Sequence, residues 1–394
     1  MNTYLLEKDV QDYISSHIAA DIHRIAMTKS PFEKVSSAEL ATQLAAKQKS
    51  RKKLPSWYHT KGIYYPLPLS IEQSSSEIAA AYKATLTKGK RLIDLTGGFG
   101  VDSLYFAKQG LDVTHCELNQ ELSAIAAHNA AILGQPDIRF ISGNGLTWLE
   151  RTENQYDTIY IDPVRRNLTG KVFMLKDCTP NVADHLDLML RRSGRIMIKT
   201  APLLDLSAGL KELRKVSAIH IVSIRNECKE LLWIIDSTQP DITSPDIVAV
   251  ALNERQKTFS FNLNEAEQAS ATFAEQLGTY LYEPDAALLK SGAFDLISVR
   301  YSLQKLQQQT HLYTSNNIDA TFPGRIFKIS EVIRTSELKR QKQLIGNVIV
   351  RNYPERAEIL ARKYKIKPDQ QKFLIFTQSI QGKIIIQAEI RQYY

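Results

Sequence analysis

The feature that most constrains this chain is the stretch Arg91-Leu-Ile-Asp-Leu-Thr-Gly-Gly-Phe-Gly-Val-Asp102. Its apolar start reads as a buried strand that runs directly into a glycine-rich turn and then a helix. Glycine has no Cβ and tolerates positive φ, so a ligand can approach such a turn closely. Asp94 closes this strand and Glu117 closes the next one. Acids at two successive strand ends beside a glycine turn point to a nucleoside cofactor.

The surrounding chain alternates. Strands are expected at 91–95, 111–117, 138–142, 157–161 and 195–199, with helices at 101–109, 119–133, 145–151, 173–192 and about 204–215. Alternation of this kind means an α/β fold with a parallel sheet covered by helices. The runs His220–Asn226 and Glu230–Asp236 are separated by a turn too short for a crossover, so they must pair antiparallel. Residues 1–85 read as helical, with Val10, Tyr13, Ile14, Ile18 and Ile22 at helical spacing and a last helix from Ser75 to about Thr87. Beyond Pro240 a hairpin (247–252 and 258–263) and a helix (264–278) are expected, then strands near 325–330, 346–351, 373–378 and 383–389 with a helix at 354–364. The expected divisions are a helical region (1–85), the α/β domain (86–240), an α+β segment (241–324) and a basic C-terminal domain (325–394).

The net charge of +8 over 394 residues is unevenly placed. Residues 325–394 carry net +9 and residues 24–62 net +7, which leaves −8 for the rest. Two basic segments flanking an acidic middle suit a partner with a phosphate backbone. No stretch approaches the length a membrane helix needs, and Glu7, Asp9 and Asp12 are unlike a secretory signal. Three cysteines without a metal-ligand spacing suggest a reducing cytoplasm and no metal.

The third glycine position separates two cofactor classes. A dinucleotide fingerprint counted from Gly98 would place glycine at 103, where this chain has Ser103. S-adenosylmethionine has no pyrophosphate to cradle. It needs acceptors for its amino and ribose groups and an open backbone at Thr96, Gly97, Gly98 and Gly100. Asp94 is expected to accept from the amino group, directly or through water, Glu117 from the ribose hydroxyls, Leu118 to line the adenine and Asn144 to meet the adenine amine.

The fourth strand ends in Tyr160-Ile-Asp-Pro-Val-Arg-Arg166. This resembles the (Asp/Asn)-Pro-Pro-aromatic loop of methyltransferases that modify exocyclic amines of nucleobases. Such an amine is a poor nucleophile because its lone pair is delocalised. The Asp162 carboxylate, with a backbone carbonyl held by Pro163, can orient its N–H groups, and alignment supplies most of the rate. Val164-Arg165 stands in place of the Pro-aromatic half, so stacking is expected from Tyr64, Tyr65 or Phe173, and phosphate or base contacts from Arg165 and Arg166.

Together these motifs resemble the class I adenosylmethionine-dependent methyltransferases, whose Rossmann-like sheet is parallel with an antiparallel last strand. More narrowly, Leu69-Ser-Ile-Glu-Gln-Ser-Ser-Ser-Glu77 and Asn347-Val-Ile-Val-Arg-Asn-Tyr-Pro354 resemble a bacterial group with an N-terminal helical region, a ferredoxin-like segment and a C-terminal THUMP-like domain. The resemblance implies methyl transfer to an amine in ribosomal or transfer RNA. Methylation of a small molecule or protein, or a vestigial RNA-binding module, are the alternatives.

Overall fold

The computed structural model describes all residues except 166–173, 239–243, 335–336 and 338–343. Two compact units result: residues 1–216 with 233–242, and residues 217–232 with 243–394.

In the first unit, six helices precede the first strand: α1 (Lys8–Ser16), α2 (Ile22–Met27), α3 (Ser37–Lys53), α4 (Pro55–His59), α5 (Pro68–Gln73) and α6 (Glu77–Thr85). Their starts follow capping chemistry. Ser36 and Glu39 form a reciprocal capping box on α3, and Ser76 accepts from the Ala79 N–H to start α6. Proline opens α4 and α5, where its missing N–H costs nothing.

The alternating part follows as β1 (Arg91–Asp94), α7 (Val101–Lys108), β2 (Asp112–Glu117), α8 (Gln120–Ile132), β3 (Arg139–Ser142), α9 (Gly145–Arg151), β4 (Thr158–Ile161), β5 (Val164–Arg165), β6 (Cys178–Thr179), α10 (Val182–Arg192), β7 (Arg195–Thr200) and α11 (Leu206–Glu212). The order β7-β4-β1-β2-β3 is parallel throughout. Strand interiors such as Leu92, Ile93, Ile159 and Ile196 are fully buried, as a sheet covered on both faces requires. The helix expected over 173–192 begins only at Val182. Pro180 lacks an N–H, and Asn181 caps the helix by accepting from the Ala183 N–H, while β6 pairs antiparallel with β5.

The next strands, β8 (Val216–Ile224) and β9 (Glu227–Asp236), are joined by Arg225 and Asn226, both at positive φ. A two-residue connection of this type forces antiparallel pairing. Trp233–Asp236 of β9 belongs to the first unit, where the Ser237 N–H donates to the Gly194 carbonyl just before β7. The end of β9 therefore meets the start of β7, giving the antiparallel last strand.

The second unit continues with β10 (Asp246–Leu252), β11 (Gln256–Asn262), α12 (Leu263–Gln268), β12 (Tyr280–Pro284), α13 (Ala286–Ser291), α14 (Phe294–Arg300), β13 (Gln304–Gln307), β14 (Thr310–Ser315), β15 (Gly324–Arg334), β16 (Asn347–Val350), α15 (Ala357–Lys363), β17 (Lys372–Ser379) and β18 (Gly382–Gln392). The expected helix over 264–278 stops at Gln268, because the Ala274 N–H donates to Lys305 and the Lys305 N–H to Thr272. That backbone is committed to a strand neighbour. Seven strands in the order β13-β14-β12-β15-β18-β17-β16 form one sheet, so the boundary expected at 324/325 falls inside a hydrogen-bonded sheet. Along β17, Phe373 and Ile375 enter one core while Leu374 and Phe376 enter another, which buries both faces.

Candidate active site and cofactor cavity

The carboxyl ends of β1, β2, β3 and β4 are stitched together in the first unit. The Leu95 N–H donates to Tyr160 at 3.0 Å, Gly97 to Cys116 at 2.8 Å and Gly143 to the Glu117 carbonyl at 2.8 Å. Gly98 and Gly100 hold positive φ of 56° and 81°. Gly97 is glycine for a different reason: a Cβ there would sit 2.3 Å from His115 Nε2. The His115 ring is fully buried with neither nitrogen hydrogen-bonded among the described residues, and burial pushes it down to about 3, so it stays neutral.

A cavity of about 420 Å³ opens over these strand ends. Gly143 and Asn144 border it after β3, and Glu117 and Leu118 after β2. The Thr96–Phe99 turn follows β1, and Asp162 and Val164 follow β4. Gln73, Ser74 and Ser75 add a wall from the segment before α6. This is the strand-end position at which open α/β sheets bind ligands.

Glu117 is held in place: Oε2 accepts from the Gly98 N–H at 2.9 Å and Oε1 from the Asn119 N–H at 2.8 Å. Leu118 is 74% exposed beside it. Thr96 couples two loops, because its Oγ1 accepts from the Asp162 N–H at 2.7 Å. Asp162 forms an ion pair with Lys199 near the end of β7; the side chains are 31% and 14% exposed. Lys199 was not found by motif. Its signal is a lone cation closing the buried strand Ile196-Met-Ile198.

Several expectations are corrected. Asp94 is only 1% exposed and lies outside the cavity wall; its Oδ2 accepts from Ser103 Oγ at 2.6 Å and its Oδ1 from the Thr96 N–H at 3.1 Å. It shapes the turn, and both of its oxygens are already engaged. Asn144 borders the cavity, but its Oδ1 caps α9 through the Leu146 and Thr147 N–H groups. The acceptor meant for the adenine amine is therefore engaged, leaving the amide as a donor.

Tyr64 and Tyr65 are no stacking platform. Tyr65 is 2% exposed, with its hydroxyl donating to the Trp57 carbonyl, and the backbone of Tyr64 is clasped by the Asn129 amide. Both border a separate cavity of about 350 Å³ beneath the N-terminal helices. Arg165 lies in β5, opposite Cys178. Arg166 and Phe173 lie outside the described residues.

The family described as a THUMP domain-like model matches residues 324–389, and one described as a ferredoxin-like domain matches 280–323. The crystal structure of a candidate methyltransferase from Porphyromonas gingivalis W83 is 29% identical with a TM-score of 0.89, covering 100% of both chains. The chain therefore carries ferredoxin-like and THUMP-like domains, and over its whole length it is similar to that candidate methyltransferase. A 23S rRNA (uracil(747)-C(5))-methyltransferase of Pyrococcus abyssi is 31% identical over 26% of this chain and 22% of its own. An uncharacterised RNA methyltransferase of Protochlamydia amoebophila is 30% identical over 22% of this chain. The chain thus spans about a fifth of the length of these curated relatives, 22% and 21%.

The cavity has the features that the sequence motifs require of an adenosylmethionine site. Among the described residues, Gly143 has open space where a Cβ would project, and such a Cβ on Gly98 meets nothing nearer than the Thr96 carbonyl at 3.9 Å. The fixed Glu117 carboxylate retains lone pairs for two hydroxyls, and the volume lies in the range of small-ligand sites.

The basic segments are partly internal. Lys47 is buried over the Tyr58 ring and Lys49 pairs with Glu72. In the tail, Arg325 and Arg351 both pair with the buried Glu283. Among the described residues, no helix is long and apolar enough to cross a membrane.

Proposed function

We propose that this methyltransferase transfers a methyl group to an exocyclic amine of a nucleobase in ribosomal or transfer RNA. S-adenosylmethionine, when bound, supplies an electrophilic methyl group. Glu117 receives the ribose hydroxyls, Leu118 packs on the adenine, and the Gly97–Gly100 turn permits close approach. Thr96 fixes the Asp162 backbone, so the carboxylate is presented at the cavity beside the turn.

The observation that carries the reading is the Asp162-Pro163 loop ending β4, anchored by Thr96 and balanced by Lys199. An acceptor of this kind orients an amine N–H pair, and the carboxylate takes the proton that the amine loses as the N–C bond forms. The Lys199 ammonium fixes the carboxylate's direction and gives it a partner while substrate is absent.

The Pyrococcus relative is named for a carbon, C5 of uracil. A ring carbon of this kind needs prior covalent addition by a nucleophile. Here Cys116 and Cys178 are fully buried, and burial pushes the Cys116 thiol up to about 12. Thiols in that state are poor nucleophiles, which favours an amine.

The test is mass spectrometry of nucleosides from total RNA of cells with and without the gene. One methylated amine-bearing nucleoside should disappear, and Asp162→Ala should fail to restore it while still binding the donor. Unchanged RNA would move the reading to a small-molecule or protein acceptor.

A further inference from the structure

We propose that Asp102, not Asp94, takes the ammonium group of the donor's amino-acid end. This inference rests on the cofactor reading above and adds a residue to it. Three acids border the cavity among the described residues: Glu117, Asp162 and Asp102. Glu117 stands at the end of β2 on the ribose side, and Asp162 is paired with Lys199 on the transfer side. Asp102 remains, at the first turn of α7 and directly after the glycine turn. Asp94 is sealed below that turn with both oxygens engaged.

The Asp102 carboxylate is built into a fixed position. Its Oδ2 accepts from Ser75 Oγ at 2.8 Å and from the Tyr160 hydroxyl at 2.9 Å. Its Oδ1 meets Lys83 Nζ at 2.9 Å and receives no other hydrogen bond among the described residues. A carboxylate offers about four lone-pair sites. Three are taken here, and the fourth lies on Oδ1, itself buried, of a side chain that borders the cavity. Burial alone would push this carboxyl up, yet Lys83 and then Lys199 more than offset it and hold the group below the usual carboxylate range. It is therefore anionic when a ligand arrives. Lys83, fully buried and also donating to Ser75 Oγ at 2.6 Å, balances it when the cavity is empty. An amino-acid zwitterion adds no net charge to this neutral pair, so its ammonium can join without stranding a buried charge.

Calorimetry on the full chain tests this with two ligands: S-adenosylhomocysteine and its analogue with the ammonium replaced by hydrogen. The wild-type protein should bind the first at least about tenfold more tightly, the size expected of a charged hydrogen bond. In Asp102→Asn the two affinities should come within about threefold. Should that variant fail to fold with Lys83 unpaired, Lys83→Met combined with Asp102→Asn removes both charges and should behave likewise. Equal wild-type affinities, or a variant that still discriminates, overturn the assignment; the first of these outcomes can be read even if neither variant folds. A wild-type protein that binds neither ligand refutes the cofactor reading itself, and the assignment falls with it.

Discussion

Replacing Asp94 by asparagine should change how stability depends on pH. Burial, the largest effect, pushes the Asp94 carboxyl from 3.8 up to about 7; the Ser103 hydrogen bond opposes it and the neighbouring Asp102 adds to it. The native state therefore keeps this proton over a range in which the unfolded chain has lost it. Stability from this group is fully present below 3.8 and is lost as pH rises to about 7, beyond which the loss is constant. The full loss is about 4 kcal/mol, and the part between pH 5 and 8 is about 3 kcal/mol.

His115 tilts the profile the other way. Buried neutral with its value near 3, it confers stability present above 6.5 and lost as pH falls below that. Both proteins share this slope, so it cancels in the difference between Asp94→Asn and wild type. Asparagine keeps an acceptor for the Thr96 N–H, so the turn has its chief anchor at every pH. All three tryptophans, Trp57, Trp148 and Trp233, lie in the first unit, so fluorescence-monitored urea unfolding reports on it. The variant should gain about 3 kcal/mol on wild type between pH 5 and pH 8. A difference that stays flat within about 0.5 kcal/mol would refute the claim that Asp94 is sealed and protonated near neutrality.

Three further outcomes follow from the site. Gly97→Ala should cost about 1–3 kcal/mol and abolish donor binding by forcing a methyl into the His115 ring; adding His115→Ala should recover stability in thermal melts, and no recovery would mean the clash is elsewhere. Lys199→Met should reduce methylation at least about tenfold while leaving the donor's Kd unchanged, read with labelled donor and RNA from cells lacking the gene. An unaltered rate would remove Lys199 from the mechanism. RNA affinity should fall with salt with a log–log slope steeper than about −2, corresponding to three or more phosphates; a slope near zero would show that the basic segments do not grip the backbone.

What could be read in the sequence divides along a physical line. Leu92-Ile93-Asp94, the glycine turn, Glu117 and Asp162-Pro163 are consecutive along the chain and tied to strand ends, so linear pattern suffices to find them. Residues whose role depends on which side chain tertiary packing covers are not legible in this way. Asp94 and Asp102 both flank the turn, and nothing local shows that Ser103 and the Thr96 N–H claim the first while Ser75, Lys83 and Tyr160 turn the second to the cavity wall. Tyr64-Tyr65 look like exposed loop aromatics until Gln43 and Asn129 are seen to clasp their backbones. Charge misleads for the same reason, because the Arg325 and Arg351 cations are answered by Glu283 from another strand. Periodicity likewise failed over Gln304–Ser315, where polar residues dominate and cross-strand pairing decides the structure. Lys199 shows where such readings improve: a lone charge at the carboxyl end of an apolar central strand has a desolvation cost that only a partner can offset, so it should be read as half of a pair whose other half lies on a neighbouring strand end.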